Sequence, residues 1–305
     1  MSDVLGAAGG AGPGDASSQH GPAGEAELLA LACEAARMAG GLLLERVGRG
    51  AEREVSSKST PTDLVSEADV ASQRAIRALL RERRPEDGFL GEEEGQSERG
   101  SSGLRWIVDP LDGTVNFLFQ IPQWSVSIAV ADQHGTIAGA VYDPNRQELF
   151  AATRAGDATL LNAGGGVELL LRADGAGGDP EHRTGSEEGE GGGETLATAM
   201  VATGLAYDAE VRRAQGKVLE RLVPRVRDIR RFGSAALDLC WTAAGRCDAY
   251  FERSVKQWDV AAGLLICQRA GLGMSELPAR GVLPWGVLVA PAELERALYE
   301  LVAAE

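Results

Sequence analysis

The chain has 305 residues and a formal net charge of −15, with 44% of its residues hydrophobic and 25% charged. These proportions suit a globular protein long enough for one large domain or two compact halves around a buried core. The acid excess argues against a nucleic-acid footprint, which needs clustered positive charge, and against attraction to an anionic membrane surface.

In chain order, residues 1–24 are rich in Gly, Ala and Ser and nearly free of large apolar groups, so a disordered tail is expected. No basic segment leading into an apolar one is read there as a secretory signal. Apolar residues at helical spacing in EAELLALACEAARMAGGLLLERV predict a helix from about residue 25. A second helix is expected over Glu67–Arg84, with Val70, Ile76, Leu79 and Leu80 inward and its basic run RERRPED read as a solvated face and a stop. Strand-like runs follow in FLGEE, LRWIVD, SVSIAVAD, TIAGAVYD and ELFAATR, with a hairpin turn at 133–135. Residues 173–194 are glycine and acid without a core-forming side chain, and read as a disordered acidic insertion.

Beyond the insertion, strands and helices alternate. A strand is expected near Ala199–Ala202, a helix over Glu210–Val223, a strand over Val226–Arg230 and a helix over Ser234–Ala244. Then come a strand over Ala249–Glu252, a helix over Val260–Ala270, a last strand in GVLVAP and a helix through Ala303. The pattern is α/β with layered sheets and helices, in two ordered stretches, 25–172 and 195–305. No run of about 18 apolar residues is present to span a membrane.

Several kinds of chemistry lack support. Cys33, Cys240, Cys247 and Cys267 show no CxxC spacing and read as reduced core thiols of a cytoplasmic protein. His20 and His182 fall in the two segments expected to be disordered and His134 in a hairpin turn, which leaves no basis for a Ser-His-Asp triad, a Cys-His pair or a histidine-ligated zinc. Neither GxSxG nor GxxxxGK[ST] occurs, and no GxGxxG joins a strand to a helix. Carboxylate, hydroxyl, lysine and metal chemistry remain.

Four acidic sites stand out by setting. GEEEG (91–95) taken alone is an acidic loop, Asp259 in WDVAAG alone is a helix N-cap, and Asp109 alone is a turn aspartate before Pro110. Together they point further. Asp109 and Asp112, in WIVDPLDGTVNF, are like charges that raise each other's pKa unless a cation neutralises them. Glu92, Asp109, Asp112 and Asp259 offer the anionic oxygen donors that Mg²⁺ prefers, with a second metal shared among them suited to displacement at a phosphoryl group. Backbone N–H groups at Gly113 and Thr114, before a helix expected near Asn116, would let an acidic protein bind phosphate. The Thr114 hydroxyl reads equally as a holder of the attacking water and as a helix N-cap.

These stretches resemble the signatures of the inositol monophosphatase family, within the superfamily of magnesium-dependent, lithium-sensitive sugar phosphatases. WIVDPLDGTVNF carries the first signature and WDVAAG the second; KSTPTDLVSEAD (58–69) and the GEE at 91–93 also match. The resemblance covers nearly everything from about residue 25 onward except the insertion, and implies the five-layer αβαβα sandwich of this superfamily, usually dimeric. It implies metal ligation by Glu92, Asp109, Asp112, Asp259 and the Leu111 carbonyl, with two to three Mg²⁺ per site. Glu92 and Thr114 would activate water for direct in-line attack, and Gly113 and Thr114 would hold phosphate. Asp69 would lie by a looser third metal with Lys58 on a loop near it, and Glu252 would bind substrate hydroxyls. RRFGSAALDLCWTAAGRCDAYFE resembles the segment that builds the leaving-group pocket.

The sequence departs from the family pattern at Val115, where a second threonine is common, and at Lys256, where animal inositol enzymes have histidine. The expected substrate is a small phosphorylated metabolite, foremost inositol-1-phosphate. Histidinol phosphate, fructose-1,6-bisphosphate and a 3′-phosphonucleotide are alternatives, and Arg253 and Lys256 are the basic residues a bisphosphate would call on. A non-catalytic binding protein that keeps the fold is the alternative of another class.

Overall fold

The computed structural model describes residues 21–48, 55–57, 64–93, 97–170 and 196–304. Most of the expected tail, the insertion and Lys58 lie outside the described residues. Helix α1 (Pro22–Gly48) begins three residues earlier than its apolar pattern suggested, because Pro22 carries the fixed φ that suits a first helical position. Helix α2 spans Glu67–Arg83. Its Ile76 and Leu80 are buried as expected, whereas Val70 and Leu79 are only half-buried, so the inward face is narrower than the apolar pattern implied.

Eight strands form the first sheet: β3 (Gly88–Gly91), β4 (Ser97–Glu98), β5 (Arg105–Asp112), β6 (Ser125–Asp132), β7 (Gly135–Asp143), β8 (Glu148–Thr153), β9 (Thr159–Leu161) and β10 (Val167–Leu169). Their order is β10-β9-β8-β7-β6-β5-β3-β4, with β3 and β5 parallel and the other pairings antiparallel. A separate ribbon pairs β1 (Val55–Ser57) with β2 (Leu64–Ser66). The second sheet joins β11 (Met200–Thr203), β12 (Asp228–Arg230), β13 (Ala249–Arg253), β14 (Gly273–Leu277) and β15 (Gly286–Ala290) in the order β12-β11-β13-β15-β14. Strands β1, β2, β4, β9, β10 and β14 were not expected. Most are two or three residues long, and β14 (GMSEL) lacks the apolar run that marks its neighbour β15.

Three hydrophobic cores separate five layers. Helices α1 and α2 pack on one face of the first sheet, through Leu43, Ile76, Trp106, Val108 and Ile128. Helices α5 (Ala235–Ala243) and α6 (Gln257–Arg269) fill the space between the sheets, and α4 (Ala209–Leu222) and α7 (Ala292–Val302) cover the outer face of the second sheet. Along β5, Trp106 and Val108 face the first core and Ile107 the middle one, the alternation of a strand buried on both faces. Every residue from Val260 to Cys267 of α6 is buried, as a helix sandwiched between two sheets requires. At Gly139 of β7, an added Cβ would stand 2.8 Å from the Ala262 Cα, so this glycine lets α6 lie directly on the sheet. The result is an αβαβα sandwich.

Candidate active site

In a regular strand, residues three apart point to opposite faces. Asp109 and Asp112 escape that rule because β5 is irregular between them: Asp109 pairs with Ser127 of β6 and Asp112 with Ser125. Three steps on β5 thus answer two on β6, and the extra residue at Pro110–Leu111 returns Asp112 to the face that Asp109 occupies. Proline is tolerated there because a bulge needs no ladder N–H. The Leu111 N–H donates to Asp109 Oδ1 at 3.0 Å and closes the turn around Pro110. Both carboxylates therefore face the middle layer, where α6 brings Asp259 in its first turn.

Glu92 follows β3 directly, and its N–H extends the parallel ladder by donating to the Val108 carbonyl at 3.1 Å. Asp109 is buried, and that burial, then the charges of Glu92, Asp112 and Asp259, holds its carboxyl well above the usual carboxylate range. Asp259 is raised likewise by burial and then by Glu92 and Asp112. Asp112 is raised to about 6, by burial above all. It stays lower because the Ser234 hydroxyl donates to its Oδ2 at 2.6 Å and the Ala236 N–H at 2.7 Å. Ser234 is the N-cap of α5, so one oxygen of Asp112 rests on a helix N-terminus.

These shifts share one cause: carboxylates desolvated beside one another. A divalent cation removes it, and four carboxylate groups around one face are the hard oxygen donors that Mg²⁺ accepts. Among the described residues, no three acidic side chains yet converge closely enough to grip an ion as they stand. Asp109 Oδ1 is taken by the Leu111 N–H and Asp259 Oδ2 by the Lys256 N–H at 2.6 Å.

The remaining expected residues are placed as follows. Gly113 has φ 102 and caps α3 (Thr114–Leu118), so Thr114 is the first helical residue and not the N-cap. The Thr114 hydroxyl donates to Asp69 Oδ1 at 2.7 Å and also lies 3.2 Å from the Leu111 carbonyl oxygen. Asp69, fully buried in α2, is therefore a direct partner of Thr114. Glu252, on β13, is raised to about 7 by burial, against the Tyr250 hydroxyl that donates to it at 3.0 Å and the Arg231 charge. It shares its electrostatic surroundings with Asp112, and a side chain at Gly204 would overlap its carboxylate. Arg253, the next residue of β13, is buried, and its Nη1 donates to the carbonyls of Leu277, Pro278 and Pro284 at 3.2, 2.9 and 2.8 Å. Three carbonyls thus converge on one nitrogen of a buried side chain.

Sequence reasoning missed the residues that hold this frame. Ser72 donates to the Pro110 carbonyl at 2.9 Å, pinning the bulge. Gln73 clasps the Glu93 backbone by donating to its carbonyl at 2.6 Å and accepting from its N–H at 2.9 Å. With Asp69 they form a buried polar stripe on the same face of α2 as Ile76 and Leu80, a signal available in the spacing but passed over. Asn116 ties α3 to the α5 entrance by donating to the Gln123 and Phe232 carbonyls, both at 2.7 Å. Ser127 likewise reaches the Trp258 carbonyl at 3.3 Å. His134 is exposed on the β6–β7 turn, and no disulfide joins the four cysteines.

Comparison with known proteins identifies the family. The model of the inositol monophosphatase family matches residues 25–305. Inositol-1-monophosphatase of Mycobacterium bovis is 40% identical over 250 residues, 79% of this chain and 79% of its own. Nus factor SuhB of Pasteurella multocida is 38% identical over 245 residues, 80% of this chain and 83% of its own. The crystal structure of the extragenic suppressor protein suhB from Bartonella henselae superposes with a TM-score of 0.76 at 30% identity, covering 90% of this chain and 98% of that one. A bulged DPLDG strand end, a GEE turn on the parallel neighbour and WDVAAG on the sandwiched helix thus meet at one face, and this chain belongs to the inositol monophosphatase family of phosphatases.

Proposed function

We propose that the protein is a Mg²⁺-dependent phosphomonoesterase acting on a small polyol or sugar phosphate, with inositol-1-phosphate the leading substrate. The observation that carries this reading is the set of buried carboxylates on one face, Asp109, Asp112 and Asp259, each raised by burial and by the charge of Glu92 beside them. When bound, Mg²⁺ would lower the pKa of a water and neutralise charge on the phosphoryl oxygens. Glu92, Asp109, Asp112, Asp259 and the Leu111 carbonyl would hold it.

The chain's own groups do the rest. Glu92, which keeps a hydrogen-bonding oxygen beside Asp109, and Thr114, oriented by Asp69, would align the attacking water. Backbone N–H groups of Gly113 and Thr114 would take phosphate oxygens, and Lys58 would add a cation, on family resemblance. Glu252, fixed by Tyr250 and given room by Gly204, would accept hydrogen bonds from substrate hydroxyls. Lithium sensitivity, a homodimeric assembly and a cytoplasmic location complete the proposal, on family resemblance.

A second reading rests on the relatives named Nus factor SuhB, which match almost as well as those named inositol-1-monophosphatase. On it the chain acts as a binding partner. The deciding measurement is phosphate release from inositol-1-phosphate, histidinol phosphate, fructose-1,6-bisphosphate and a 3′-phosphonucleotide, with Mg²⁺ and with or without Li⁺. Metal-dependent, lithium-inhibited release from inositol-1-phosphate supports the first reading. No release from any of them, by folded protein that binds Mg²⁺, moves the second to the front.

A further inference from the structure

At the opposite end of β3 and β5 from the carboxylates lies a cavity of about 640 Å³. Gly88 opens β3 at its rim and Glu92 follows the far end, so about 13 Å of strand separates it from the active face at ~3.3 Å per residue. Four arginines line it: Arg77, Arg81 and Arg84 from α2 and its end, and Arg99 just past β4. Positions 77, 81 and 84 share one helix face, where like charges repel. In a chain of net charge −15, such a stripe has a cost unless something anionic offsets it.

The acids at the cavity, Glu86, Asp87 and Glu98, offset three of the four charges, and two of them are committed to arginines of the wall. Asp87 accepts from Arg84 Nε at 2.8 Å and Nη2 at 3.2 Å, and from the Trp106 indole N–H at 3.0 Å. Glu98 pairs with Arg77, and Arg81 reaches it only at 3.5 Å. Glu86 accepts from the Ser101 hydroxyl. These pairs, with Arg77 over the Phe89 ring at 5.9 Å, make a rigid wall. Arg99 has no ion partner among the described residues, and Arg81 keeps 66% of its side chain exposed. The floor is close-packed backbone: a Cβ on Gly100 would overlap the Glu86 carbonyl and the Gly88 N–H.

We propose that this cavity is a second, non-catalytic site for a small multiply charged anion of the phosphate-ester or pyrophosphate class, held by Arg81 and Arg99 against the wall built by Arg77, Arg84 and Trp106. Its volume lies in the range of small-molecule sites, and guanidinium forks suit phosphate oxygens. It is independent of the catalytic reading, since none of its lining residues belongs to the carboxylate face.

The test is calorimetric titration of the full chain with inorganic pyrophosphate in the presence of EDTA, which removes any divalent ion from the catalytic face. Three proteins are compared: the unaltered chain, the Arg81→Glu/Arg99→Glu double variant and Asp112→Asn. Circular dichroism confirms that each is folded. The expected result is binding in the unaltered chain and in Asp112→Asn, weakened at least about tenfold in the double variant, where charge-assisted contacts become repulsive. Binding equal in all three, binding lost only in Asp112→Asn, or no binding to the unaltered chain would each overturn the proposal.

Discussion

At the scale of residues, Asp112 is the point on which the site converges. Its Oδ2 is held by the Ser234 hydroxyl and the Ala236 N–H at the α5 N-terminus. Asp112→Asn keeps the shape and the hydrogen-bond acceptor but removes the charge, so metal-dependent turnover should fall by on the order of 10²-fold or more while the far-UV spectrum is unchanged. Retained turnover would remove Asp112 from the site. Ser234→Ala tests the support behind it. The cation affinity of the protein should fall roughly 10–100-fold, as read by the Mg²⁺ dependence of the rate, because Asp112 loses its orienting donor. Thr114 illustrates a limit of local reading: as a lone threonine after DG it fits a cap as well as a catalytic hydroxyl. Its partner Asp69, 45 positions earlier, makes it a buried, oriented hydroxyl.

At the scale of elements, the β5 bulge and the close contact of α6 with β7 place the carboxylates. Gly139→Ala would drive a methyl toward the Ala262 Cα and push the helix that carries Asp259 off the sheet. Overpacking of that kind costs about 1–3 kcal/mol, seen as a lower urea midpoint at an unchanged slope, and it should lower turnover as well. Unchanged turnover in a destabilised Gly139→Ala protein would show that the α6 position tolerates the shift. Gly113→Ala places a Cβ at φ 102 and 3.1 Å from the Gln123 carbonyl oxygen, a strain of about 1–3 kcal/mol that the same titration measures. The long elements α1, α2, β5 to β8, α4 to α7 and β15 were readable because their apolar periods are long. Strands β9, β10 and β14 were not, because three to five residues without an apolar run owe their conformation to the neighbours they pair with.

At the scale of the whole molecule, the buried carboxylates tie stability to pH and to cations. Asp112 has a folded pKa of about 6 against an ordinary 3.8, so between those values the folded chain binds more protons than the unfolded one. Its contribution is fully present below the ordinary value and lost as pH rises through about 6; Asp109 and Asp259, raised further, extend the loss upward. In EDTA the melting temperature should therefore be lower at about pH 8 than at about pH 5.5. Added Mg²⁺ should raise it more at the higher pH, where the ionised cluster gains most from a cation. Differential scanning fluorimetry measures both, and a melting temperature independent of pH and Mg²⁺ would mean that the cluster is neutralised by other means. Among the described residues no helix is long and apolar enough to cross a membrane.

The sequence by itself determined the α/β class, the main helices and strands, and the short list of acids, because these are written in local periodicity and in residue types with few other uses. It also carried the resemblance to the family, since WIVDPLDGTVNF and WDVAAG are contiguous motifs. Only the tertiary structure decided that Asp109 and Asp112 share a face, since that depends on a bulge defined against β6. The same holds for Asp69 serving Thr114, for Arg253 Nη1 meeting three carbonyls, and for the exposed RERRPED run bordering a cavity with Arg99. The physical reason is common to all four. Burial and partner choice are set by residues distant in the chain, and a local pattern contains no record of which surface will close over it.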